Sequence, residues 1–223
     1  YNGYVRGLIP TELGQLSALK TLNLSANGQI DSTIPSSLGS LSKLETLNLA
    51  YNTGLKGAIP PQLASLSKLR ILDVRNTALS GTIPPQLGSL AQLREFYASN
   101  TQLTGGIPTT FSGLSKLEVL LFQQNSLMSG PLPAELGTLT NLKTLTVSQS
   151  GLTGSIPTVI GSLSNLEVLD LSNNILTGAI PASLGQLTAA KQIILNNNRL
   201  TGAIPTTLNQ ANLPNLNGLI LSG

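Results

Sequence analysis

Residues 166–190 read LEVLDLSNNILTGAIPASLGQLTAA. The stretch has three parts of different physical character. Leu166, Leu169 and Leu171 fall in the spacing L-x-x-L-x-L, whose alternating last pair gives a short strand with one apolar face. Thr177-Gly-Ala-Ile-Pro181 then stops the strand and turns the chain, with Ile180 re-entering the core. Leu184-Gly-Gln-Leu187 is too short for a stable lone helix and predicts one or two helical or 3-10 turns.

The unit recurs outward in both directions. Its Ile-Pro or Leu-Pro step ends at Pro10, Pro35, Pro60, Pro84, Pro108, Pro133, Pro157, Pro181 and Pro205, with spacings of 25, 25, 24, 24, 25, 24, 24 and 24 residues. Self-similarity at so narrow a period is the mark of a repeat architecture. One coil cannot bury its own leucines, whereas stacked coils bury a continuous core, each touching only its neighbours. With strands ~4.8 Å apart, the stack predicts a sheet roughly 40 Å long. Asn27, Asn52, Asn125, Asn174 and Asn198 follow the strands at an inward position, where an amide can satisfy backbone groups that a turn leaves unpaired. Thr77, Thr101 and Ser150 take that place in three repeats, and the column reads as structural. NANLPNLNG (209–217) departs from the regular back segment and reads as an enlarged coil.

The segments LSALKTLNLSAN (16–27), ALSGTIPPQLGSL (78–90) and ILTGAIPASLGQL (175–187) resemble the leucine-rich repeat family in its plant-type subclass, and the likeness runs along essentially the whole chain. The resemblance implies an α/β fold. It is a right-handed solenoid with a parallel β-sheet on its concave face and short 3-10 or helical turns on its convex face. It also implies kinship with receptor-like and polygalacturonase-inhibitor-like ectodomains, an extracellular or cell-surface setting, and no cofactor. The pattern predicts a single solenoid of about nine coils over residues 1–223. Aligning Asn2 with Asn52 places the chain start just after an absent strand, and LNGLILSG (216–223) stops at the close of one. Both ends therefore read as cut inside a repeat of a longer polypeptide. In the family the caps carry paired cysteines, so missing caps account for a chain without Cys.

Composition narrows the chemistry. The 223 residues include no Cys and no His, only 9% charged residues and 3% aromatics, and a net charge of +3. Thiolate nucleophiles, histidine bases and the usual zinc sites are absent with those residues. Twelve basic and nine acidic residues make no basic run, so nucleic acid is not indicated as a partner. No apolar stretch approaches the ~18 residues of a membrane span, so any membrane attachment belongs to parts of a longer chain. No phosphate-binding loop or metal-ligand spacing occurs. Asp73 and Glu95 lie on adjacent strands, but among arginines and lysines on an open surface, which does not read as an acid–base pair.

The outward strand positions line the concave face. The residue after each first Leu is charged: Lys20, Glu45, Arg70, Arg94, Glu118, Lys143, Glu167 and Lys191. Signs alternate except where Arg70 meets Arg94, which predicts a ladder of cross-strand ion pairs. The column Asn23, Asn48, Asp73, Tyr97, Leu121, Thr146, Asp170 and Ile194 is less polar in its middle. Tyr97, Val119 and Leu121 form an apolar centre ringed by Arg70, Asp73, Arg75, Arg94 and Glu95, the composition a partner-binding spot needs. Asn76, Asn100, Gln124, Gln149, Asn173 and Asn197 make an amide strip that reads as a solvated rim or a carbohydrate surface. Relatives that bind peptide hormones often show Arg-x-Arg on one strand, and here Asp73-Val74-Arg75 departs from it. Asn23-Leu24-Ser25 is the one glycosylation sequon, with Asn23 as acceptor. The reading is a non-enzymatic module that binds a protein or peptide through its concave face. The alternatives are a scaffolding subunit of a larger assembly and an ice-binding protein using the hydroxyl row Ser80, Thr104, Thr153, Thr177 and Thr201.

Overall fold

The structure is a computed structural model and describes residues 5–222. The expectation that rests on Asn2 lies outside the described residues. Each L-x-x-L-x-L segment supplies one short strand: Thr21–Asn23, Thr46–Asn48, Ile71–Asp73, Glu95–Tyr97, Val119–Leu121, Thr144–Thr146, Val168–Asp170, Gln192–Ile194 and Gly218–Ile220. They form one nine-stranded sheet in sequence order, and their pairings are parallel. A parallel pair needs a crossover connection, and right-handed winding is the rule for such crossovers.

The back of eight coils is a five-residue 3-10 turn, as in Pro85–Ser89 and Ala182–Gln186. The expectation allowed helical or 3-10 geometry, and the closing bond decides for the latter. Pro84, in extended geometry, precedes the turn, and the amide of Leu90 bonds the carbonyl of Leu87 three residues back. Glycine in this segment answers a close approach. A Cβ on Gly88 or Gly161 would strike the backbone carbonyl of Thr110 or Ser183 in the next coil. The 209–217 segment is the irregular coil expected from sequence, with Asn209 accepting from the amides of Ala211 (2.9 Å) and Asn212 (3.1 Å) while Leu213 is fully buried.

The leucine columns fuse into one continuous apolar core from Ile9 to Leu213. At its centre Phe122 packs edge to face on Phe96 (centroids 5.0 Å apart) and on Phe111, while Phe96 and Phe111 are tilted by 43°. The asparagine column behaves as read. Asn125 is fully buried and donates to the carbonyls of Phe122 in its own coil (2.8 Å) and Ala98 in the previous one (2.9 Å). Its Oδ1 accepts from the Thr101 amide at 3.0 Å, so one side chain ties two coils together. Where Thr77 replaces it, the hydroxyl makes only the bond to its own coil, to Val74 at 2.8 Å.

Candidate partner-binding site

In-register pairing brings the sequence-predicted centre together. Tyr97 lies between Asp73 and Leu121, and Glu95 lies between Ile71 and Val119. These six residues share the outward face of three adjacent strands, directly above the buried ring of Phe96 and near Phe122. Residues on one face of a strand alternate, which is why Leu72, Phe96 and Leu120 point in while their neighbours point out.

Arg75 organises the site. Its guanidinium lies 4.8 Å from the Tyr97 ring centroid and 5.7 Å from that of Tyr51, a cation held between two aromatic faces. Beneath it, Asp73 accepts from Nη2 at 2.9 Å and from the Arg75 amide at 3.2 Å. Asp73 was expected as an open rim carboxylate, and the structure corrects this: only 3% of it is exposed, because the Arg75 side chain folds over it. Burial pushes its pKa above the usual carboxylate value, while the Arg75 contacts oppose the rise. Two buried polar atoms here, Arg75 Nε and Gln123 Oε1, have no hydrogen-bond partner.

Tyr97 donates its hydroxyl to Glu95 Oε2 at 2.8 Å. Desolvation first, then that bond to a carboxylate, pushes the phenol up to about 12. Arg70 and Arg94 stand apart from this centre, at the sheet margin. Arg70 pairs with Glu45 at 3.6 Å, and Arg94 pairs with Glu118, which also holds Lys143 at 2.7 Å. The expected ion ladder is thus present in part, broken between Arg70 and Arg94 and again between Lys143 and Glu167. Asn23 is exposed two strands before Asp73, its Oδ1 accepting from the amide (3.0 Å) and hydroxyl (2.7 Å) of Ser25.

Sequence reasoning missed Tyr51 and Ile71. Tyr51 belongs to the same column as the amide strip, and that whole column has left-handed backbone, with φ of 59° at Tyr51 and 54° at Asn76. The clustering of Asn there carried the signal, since Asn tolerates this region best among residues with side chains. The amide strip is therefore first a backbone requirement. It is laced at two of its steps, with Asn100 donating to Asn76 at 2.7 Å and Asn197 to Asn173 at 2.9 Å.

The hydroxyl row also changes in the structure. On the lateral sheets the register advances by two residues per coil, so Thr82 faces Thr104, Pro131 faces Thr153 and Ala179 faces Thr201. Equivalent hydroxyls of successive coils are offset, so the partial row, already interrupted at Arg6 and Lys56, does not line up across the coils. Among the described residues no helix is long and apolar enough to cross a membrane, and no group of three acidic residues is placed to hold a metal ion.

Leucine-rich-repeat patterns match residues 68–90, 92–114 and 140–200. The described fold superposes on the ectodomain of the Arabidopsis thaliana receptor kinase GASSHO1/SCHENGEN3, solved with CASPARIAN STRIP INTEGRITY FACTOR 2, with a TM-score of 0.90 and 40% identity. The chain is a leucine-rich-repeat protein of the plant type. That match takes in 97% of this chain but 26% of the ectodomain. The Arabidopsis HAESA ectodomain, solved with an extended IDA peptide hormone, aligns at 32% identity and TM-score 0.82, over 99% of this chain and 40% of that one. The leucine-rich-repeat chain therefore spans about a quarter to two fifths of the length of these ectodomains. A plant ice-binding protein aligns at 25% identity and TM-score 0.73, over 98% of this chain and 78% of that one. A comparison with curated protein sequences gives no match.

Proposed function

We propose that this leucine-rich-repeat segment is a non-enzymatic recognition module that binds a protein or peptide on its concave face, in an extracellular or cell-surface setting. The observation that carries the reading is the centre formed by Tyr97, Leu121, Val119 and Ile71 around Arg75. It is an apolar patch with an aromatic-sandwiched cation, set on a rigid aromatic core. Interfaces concentrate their energy in such spots. The likeness to receptor-kinase ectodomains, one of them solved with a peptide hormone, supports the same reading. Replacing Tyr97 and Leu121 together by Ala should weaken partner binding by more than ~1 kcal/mol, about fivefold in Kd, with the fold intact by circular dichroism. Unchanged affinity in that double variant would exclude the concave centre.

Ice binding is a second reading, favoured by the likeness to a plant ice-binding protein and weakened by the offset of the lateral hydroxyls. Thermal hysteresis of the purified protein decides it, and the concave reading expects none.

A further inference from the structure

The concave face has four carboxylates that already have a cation: Glu45 with Lys20 and Arg70, Asp73 with Arg75, Glu118 with Arg94 and Lys143, and Glu167 with Lys191. Glu95 and Asp170 differ. Among the described residues neither has a basic group within ion-pair distance. Each is hydrogen-bonded on one oxygen only, Glu95 Oε2 to the Tyr97 hydroxyl and Asp170 Oδ1 to the Ser172 amide (3.0 Å) and hydroxyl (2.7 Å). Among the described residues Glu95 Oε1 and Asp170 Oδ2 have no hydrogen-bond partner.

Each carboxylate has aliphatic side chains beside it. Glu95 is flanked in register by Ile71 and Val119, with Tyr97 and Leu121 alongside. Asp170 lies in register between Ile194 and Thr146, with Val168 one outward position back on its own strand. An unpaired anion beside aliphatic groups suits a Lys or Arg side chain, whose apolar stem covers the hydrocarbon while its head meets the charge. The Arg75 guanidinium cannot supply this charge, because Asp73 and the two tyrosine rings hold it. Between the two acids lie Leu121, Thr144 and Thr146, with no charge among them.

The strands of Glu95 and Asp170 are three steps apart in the sheet, and the two residues differ by two positions along the strand direction. At ~4.8 Å per step and ~3.3 Å per residue the separation is roughly 16 Å, the span of four or five residues of an extended chain.

Resting on the concave-face reading above, we infer that the ligand is an extended peptide with two basic side chains four or five residues apart, one on Glu95 and one on Asp170. It crosses the strands over Leu121 and Thr146. Charge complementarity commits the site to a basic peptide rather than an acidic one.

The test is a selection of random-sequence peptides displayed on phage against the full 223-residue chain, followed by affinity measurements on the enriched peptides. The expected result is enrichment of Lys or Arg at two positions four or five residues apart. Binding of those peptides should weaken about five- to tenfold in Glu95→Gln and in Asp170→Asn, and it should weaken with added salt. Both substitutions keep the hydrogen-bond acceptor, so unfolding should be unchanged. Enriched peptides that lack paired basic residues, yet lose binding to the Tyr97→Ala, Leu121→Ala protein, overturn this inference and leave the concave reading standing. Enriched peptides insensitive to that double variant, or no enrichment at all, overturn both.

Discussion

Tyr97 shows how much of a residue's chemistry comes from its neighbours. As a sequence letter it is a strand-compatible aromatic. In place, it is a phenol partly removed from water, donating to Glu95 and covered by Arg75. Its folded pKa of about 12 lies above the unfolded value near 10, so the contribution it makes to stability is complete below pH 10 and is lost as pH rises through 12. An absorbance titration of the protein against Tyr97→Phe should show one tyrosine ionising near pH 12, and Glu95→Gln should bring that step down. The left-handed column offers a second residue-scale expectation. Gln149 holds φ of 52°, a region that costs a residue with an ordinary side chain energy that Asn largely avoids. Gln149→Asn should raise stability by roughly 0.5–1 kcal/mol in chemical denaturation. The Asn enrichment of this column was visible in the sequence. Its cause was not, because amide residues suit a solvated rim and a left-handed turn equally well.

At the scale of the strand, the charged ladder was legible because parallel in-register pairing follows from equal repeats. The pairs Glu118 with Lys143 and Glu167 with Lys191 have geometry good enough to move their titrations. Hydrogen bonds from Lys143 and then Arg94 hold Glu118 below the usual glutamate range, that from Lys191 does so for Glu167, and Lys143 is raised by Glu118. A depressed carboxylate contributes stability that is present above its unfolded pKa near 4.5 and lost as pH falls through the folded value. The native protein should therefore lose thermal stability as pH is lowered below about 4.5, and Glu118→Gln should flatten that acid limb. At neutral pH the same substitution should cost little, within the ~0–1 kcal/mol of exposed pairs. Asp73 acts in the opposite sense, since burial raises its pKa and its charged form is the costly one. Nothing in the alternation of the strand distinguished Asp73 from an exposed carboxylate. Only the folding of Arg75 over it removes it from water.

At the scale of the molecule, coils cohere through the leucine core and through side chains that bond two coils at once. Asn125 is the fullest instance, fully buried with bonds to Ala98, Phe122 and Thr101. Asn125→Ala strands those backbone groups in the interior and should cost about 2–3 kcal/mol, read as a lowered denaturation midpoint without a change in slope. Exposed Asn141→Ala, which loses a single bond to Ser115, should cost well under half of that. The repeat period, the strand segments, the apolar columns and the asparagine ladder were determined by the sequence alone. Each is a local pattern repeated at a fixed interval, and repetition leaves stacking as the one way to bury it. The apolar patch of Tyr97, Val119 and Leu121 was legible for the same reason, since in-register strands put like positions side by side. The aromatic clamp of Tyr51 on Arg75, the burial of Asp73, the offset of the lateral hydroxyls and the unpaired state of Glu95 and Asp170 were decided only by the tertiary structure. These depend on which way side chains lean and on how far one strand is staggered against the next. Such distances between coils leave no periodic trace along the chain.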